Sequence, residues 1–176
     1  MYSPRRLART NFPIACALIA CTLLPATAAD NARSDFSGAY TLTGAKGSFK
    51  MNKASRWALQ VVQTDGDITI TKTVDGKPTI NRCTLDGSAS PYITEGGAKG
   101  SCTARFKGRA LVIETSVTTH PQPAGPEVRI HTREQWTASS DSKLLTIRSD
   151  VDFPDTPLAG FQPVEPWSEI YTRDKP

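Results

Sequence analysis

The sequence predicts an all-β fold, a single antiparallel up-and-down barrel of about eight or nine strands carrying one disulfide. Three observations lead there. From residue 30 onward apolar and polar residues alternate in short runs, and no apolar period near 3.6 is sustained over ten residues. Turn residues recur at short intervals between those runs. The connections mostly join sequence neighbours, and a meander of half-apolar strands buries its apolar face and loses its open edges by closing on itself. A two-sheet sandwich is the runner-up and needs longer crossing connections than most of those present.

The chain opens on a segment that reads as targeting rather than fold. Arg5, Arg6 and Arg9 make a positive start, Ile14 to Leu24 an apolar middle, and Ala26-Thr27-Ala28-Ala29 a small-residue exit. Residues 1–29 are therefore expected to be a signal peptide and 30–176 one barrel domain, exported to the periplasm or the outside. Leu18-Ile19-Ala20-Cys21 resembles a lipoprotein cleavage site, but the apolar run continues through Thr22-Leu23-Leu24 where a polar tether would be expected. Taking away 29 of the 176 residues, with their three arginines, lowers the net charge from +4 to +1. The basic character thus belongs largely to the leader, and a nucleic-acid footprint is not predicted.

In chain order, a strand from about Phe36 to Leu42 is followed by Arg56 to Gln63, where Trp57, Leu59 and Val61 share a face. Asp65-Gly66 turns the chain into Asp67 to Val74, with Ile68, Ile70 and Val74 opposite Thr69, Thr71 and Thr73, a hairpin signal. Asp75-Gly76 makes a second such turn into Thr79 to Leu85. A Gly/Ser/Pro-rich stretch from Asp86 to Gly100 is read as a connection to Ser101 to Phe106. Lys107-Gly108 turns into Leu111 to Val117, and the stiff link His120 to Pro126 leads to a strand with Val128, Ile130 and Trp136 on its inner phase. Leu145, Ile147, Val151 and Phe153 mark the next strand, and Trp167 to Arg173 the last.

Cys16 and Cys21 fall inside the leader, so Cys83 and Cys102 are the pair left for an oxidising compartment, and a disulfide between them is predicted. The alternative is two free buried thiols.

Several segments resemble the lipocalin-like, calycin-type barrels secreted by bacteria. Asp35-Phe36-Ser37-Gly38-Ala39-Tyr40 is similar to that family's opening D-F-S-G-x-W, with tyrosine for tryptophan. Phe106 to Glu114 is similar to its aromatic-x-G-x-x-L-V-I-E hairpin, Arg133 to Thr146 to its E-x-W-x-L-S-x-D-G-K-x-L-T hairpin, and Ile170-Tyr171-Thr172-Arg173 to its final strand. The resemblance implies that Tyr40 and Arg173 close the barrel base through a cation–π contact. The alternative for Arg173 is a solvated terminal charge.

Catalysis finds little support: His120 and His131 read as surface residues, and no nucleophile sits in a recognisable turn. No cofactor and no metal are predicted. On the alternating phase Trp57, Ile70, Ile130, Trp136 and Ile147 point inward, joined by Lys72, Thr115, Thr132 and Ser149 as a hint of interior polarity. Phe153, Leu158, Phe161 and Trp167 are interleaved with Pro154, Pro157, Pro163 and Pro166, and read as a lid or as a plug that seals one end. The functional expectation is a monomeric, non-catalytic barrel for a small apolar or amphipathic ligand. The alternative is an envelope interaction protein or inhibitor that presents its proline-rich loops on a solid barrel.

Overall fold

The computed structural model describes residues 33–48, 55–120, 127–154 and 164–175. Ten antiparallel strands form one sheet: β1 Gly38–Gly47, β2 Trp57–Gln63, β3 Asp67–Val74, β4 Lys77–Thr84, β5 Ser90–Ile93, β6 Lys99–Lys107, β7 Ala110–Thr119, β8 Val128–Ala138, β9 Leu144–Asp152 and β10 Trp167–Arg173. Their spatial order is β4-β3-β2-β1-β10-β9-β8-β7-β6-β5. Every pair is between sequence neighbours except β1 with β10, which is the closure an up-and-down meander needs. The all-β class, the meander and the disulfide agree with the sequence, whereas the strand count is ten.

The tenth strand is β5, inside the stretch from Asp86 to Gly100 that reads as a connection. It is four residues long and contains Pro91, which cannot donate to a ladder. At a sheet edge that deficit is harmless, and β6 provides the template on the other side through Ser90↔Cys102 to Ile93↔Lys99. The opposite edge, β4, likewise carries a proline, Pro78. The first strand also differs from expectation, beginning at Gly38 rather than Phe36. Phe36 lies ahead of the sheet and is fully buried, so its apolar character serves as a stopper instead of a strand position.

The hairpin turns follow from their residues. Asp75 and Gly76 both have positive φ, 50° and 81°, as a two-residue type I′ turn requires, and Val74 pairs with Lys77 across it. Between β8 and β9, the Asp141 carboxylate accepts from the Ser139 hydroxyl at 2.7 Å and from the Lys143 amide at 3.2 Å. Those bonds, the hydroxyl first, draw the Asp141 carboxyl down to about 2. Because this value lies below that of the unfolded chain, near 3.9, the turn's contribution is complete above that pH and is lost as pH falls through about 2. A carboxyl titration followed by NMR should place Asp141 near that value, and an ordinary midpoint near 4 would show the turn to be open.

One end of the barrel is solid. Phe36 stacks on Phe106 with centroids 6.3 Å apart and meets Trp136 edge-on at 6.1 Å. Beside them the Arg173 guanidinium stands 5.2 Å from the Tyr40 ring centroid and donates to the Tyr40 hydroxyl at 2.7 Å and the Ser37 carbonyl at 2.8 Å. Arg173 is thus a packed part of the base, not a solvated terminal charge.

No backbone ladder joins β4 to β5, the two ends of the sheet order. Where β4 faces β5, side chains stand in for a ladder: the Asn81 amide donates to the Ile93 carbonyl at 2.9 Å and its oxygen accepts from the Ile93 amide at 2.8 Å. The Thr84 amide donates to the Ser90 hydroxyl at 3.1 Å. The Cys83–Cys102 disulfide, with Cα atoms 5.9 Å apart, ties β4 to β6 across the same seam. The result is a barrel closed by backbone ladders on nine sides, and on the tenth by side chains and, past the end of β4, an isolated Asp86–Arg105 bridge with the Gly87 amide donating to the Ala104 carbonyl at 3.0 Å.

Candidate functional site

Above the aromatic base the described residues leave space in the interior. A cavity of about 280 Å³ opens there, at the small end of ligand-binding cavities, which run from roughly 300 Å³ upward. Leu59, Ile70, Ile113 and Ile147 form an apolar wall, with Trp136, Tyr92 and Tyr171 as aromatic neighbours. A second lobe of about 290 Å³ adjoins it, sharing Tyr92, Thr115 and Glu134 and reaching Ile130 and Thr132.

Strand parity brings these residues together. On β8, Val128, Ile130, Thr132, Glu134 and Trp136 occupy alternate positions and so face one side of the sheet. On β7 the inward phase is Leu111, Ile113, Thr115 and Val117, all buried. On β10 the phase of Trp167 continues through Glu169 and Tyr171.

The polar groups in the cavity are therefore placed by rigid strands. Glu134 accepts from the Trp136 indole at 2.8 Å. Glu169 accepts from the Tyr171 hydroxyl at 2.6 Å and from the Trp167 indole at 3.2 Å. Lys72 lies 4.5 Å from the Trp57 ring centroid, and its Nζ is 3.0 Å from Glu95 Oε1. Burial works against the Lys72 charge, yet Glu169, Glu95 and Glu134 together outweigh it and hold the ammonium above its usual range. Burial pushes the Glu134 carboxyl upward against the pull of Lys72 and the Trp136 indole. The Tyr92 phenol is pushed up to about 12, by burial first and then by Glu134 and Glu95. Burial and Glu169 also raise the Tyr171 phenol.

Of the inward residues expected from sequence, Ile70, Lys72, Thr115, Trp136 and Ile147 line the first lobe, and Thr115, Ile130 and Thr132 the second. Trp57 lines neither lobe and instead supports Lys72. Ser149 is buried, opposite Trp167 in the β9–β10 ladder. Of the lid residues, Phe153 and Trp167 are half-buried, the latter as the first residue of β10, while Leu158 and Phe161 lie outside the described residues. The link from 121 to 126 lies outside them as well. Among the described residues there is no group of three metal-ligating side chains.

Glu95, Glu134 and Glu169 are the functional side chains that sequence reasoning passed over. A signal existed for two of them, since Glu134 shares its parity with Thr132 and Trp136, and Glu169 with Trp167 and Tyr171. Carboxylates are rarely assigned to an interior, and the strand that carries their counter-charge, β3, is remote in sequence.

No protein-family model and no curated protein matches this chain. Among solved structures it resembles a protein titled REP1-NXSQ fatty acid transporter, with TM-score 0.56 and 12% identity over 79% of this chain and 96% of that one. It also resembles fatty-acid-binding protein 1 of Echinococcus granulosus, with TM-score 0.55 and 14% identity over 80% and 98% of the two chains. What the chain shares with them is the barrel fold. At these identities the likeness concerns architecture alone. The up-and-down barrel expected from sequence stands, with ten strands in place of about eight or nine.

Proposed function

We propose that this protein is an exported, monomeric carrier that holds one small amphipathic molecule inside its barrel and performs no chemistry on it. The observation that carries this reading is the cavity, in which an apolar wall of Leu59, Ile70, Ile113 and Ile147 faces Lys72, Glu134 and Glu169 across one shared space. Apolar walls with a few fixed polar groups are what orient a small bound molecule. Solid barrels fill such a space with side chains, so the cavity favours a carrier over a rigid scaffold for loop-mediated contacts. The two similar structures, a fatty acid transporter and a fatty-acid-binding protein, support a carrier role. Export is supported by the leader-like residues 1–29 and by a disulfide in the folded domain.

The test uses protein purified from the cell envelope after expression of the full chain. Its intact mass is compared under native and denaturing conditions. A bound species released by denaturation is the expected result. Identical masses, together with unchanged tryptophan fluorescence on titration with apolar and amphipathic probes, would sink the carrier reading.

A further inference from the structure

We infer that the cavity selects a cationic amphiphile, a molecule with an ammonium head and a short apolar tail, over a fatty-acid anion. This rests on the carrier reading above and concerns the charge of the ligand's head.

The charges inside the barrel do not balance. Among the described residues Lys72 is the single cation on the cavity wall, facing Glu134 and Glu169 inside and the more exposed Glu95 at the rim. It forms its close ion pair with Glu95, at 3.0 Å. Glu134 and Glu169 are left with indole and phenol donors, which are neutral. A carboxylate offers about four lone-pair sites, so each keeps accepting capacity toward the cavity it lines. An incoming carboxylate would add a further negative charge to this cavity, whereas an ammonium would supply the missing positive one.

A second observation is independent of the acids. Thr115 is only 7% exposed and lines both lobes, and among the described residues its hydroxyl has no hydrogen-bond partner. A polar side chain that lines the cavity with no protein partner keeps its donor and acceptor capacity for a ligand head group. Thr115 is paired with Thr132 in the β7–β8 ladder and Glu134 with Ile113, one diagonal step away, so one head group can reach both side chains. Tyr92, Trp136 and Tyr171 place aromatic rings on the same wall, and aromatic surface favours cations. The tail then lies on Ile70 and Ile147.

The experiment titrates octylamine, octanol and octanoate at pH 7 into the exported, oxidised protein, with calorimetry and tryptophan fluorescence as readouts. The expected order is amine, alcohol, carboxylate, with the amine at least roughly tenfold tighter than the carboxylate, the effect of one charge-assisted hydrogen bond. Glu134→Gln should bring the amine-to-carboxylate ratio toward one. Lys72→Met should widen it, so a misfolded Glu134 variant still leaves a variant that moves the ratio. Thr115→Val should weaken amine and alcohol alike. A carboxylate that binds as tightly as the amine, or more tightly, overturns the charge selection and leaves the carrier intact. Absence of binding by all three probes overturns both.

Discussion

Replacing Phe36 by alanine is expected to lower stability by about 3–5 kcal/mol, the usual cost of truncating a fully buried phenylalanine. Phe36 precedes β1, so no ladder holds it. What fixes it is its ring, packed on Phe106 and Trp136, together with side-chain bonds to its backbone. The Gln63 amide oxygen accepts from the Phe36 amide at 3.1 Å, and the Tyr40 hydroxyl donates to the Phe36 carbonyl at 2.9 Å. Without the ring those bonds have nothing to anchor the segment across the barrel base. The aromatic floor under the cavity then opens from below. A loss of that size should lower Tm by roughly 10 °C in a domain of this length, and thermal unfolding of the variant checks it. Phe36→Leu should recover much of the loss, since it keeps most of the buried volume. A change below about 1 kcal/mol would show that the base is closed without this ring.

The fold was largely legible in the sequence, and the site only in part. Alternation settles which side of each strand is buried, and Asp75-Gly76 and Lys107-Gly108 settle the register of two hairpins, so the meander follows from local signals. The strand β5 carries no such signal. Ser90-Pro91-Tyr92-Ile93 is too short to show a period, and it becomes a strand because Cys102 and its neighbours on β6 present an edge to it. Phe36 misled for the opposite reason: an aromatic residue next to a strand pattern looks like part of the strand, and only the closed barrel reveals that its base needs a plug. The interior acids fall between these cases. Glu134 and Glu169 occupy inward positions by simple parity, but an inward carboxylate is plausible only once a cation is known to face it. Lys72 faces them across the barrel from β3, and that proximity arises from closure, not from sequence distance.

Removing the disulfide should produce the second large effect, and its location determines the form that effect takes. The bridge closes a loop with a sequence separation of 19 residues. In the chain-entropy model a loop of that size is worth roughly 3 kcal/mol, so a Cys83→Ser, Cys102→Ser double variant should unfold roughly 10 °C below the parent. Entropy is half of the argument. Between β4 and β5 the barrel has no backbone ladder; the Asn81–Ile93 and Thr84–Ser90 bonds hold the seam there, and past the end of β4 one backbone bond, Gly87 to Ala104, joins it to β6. Each such bond contributes on the order of 1 kcal/mol, too little to keep two proline-containing edges together against fraying. Loss of the bridge should therefore appear first as faster amide exchange at Ile93, whose N–H is bonded to Asn81, and at Thr84. Amides of the β7–β8 ladder, in the middle of the hydrogen-bonded sheet, should stay protected until global unfolding. Cys83 also lines the cavity, and Asn81 and Ile93 stand beside it, so a seam that opens locally opens the binding space to water. Uniform acceleration of exchange across the barrel would mean instead that the bridge acts through the unfolded chain alone and that the seam holds without it.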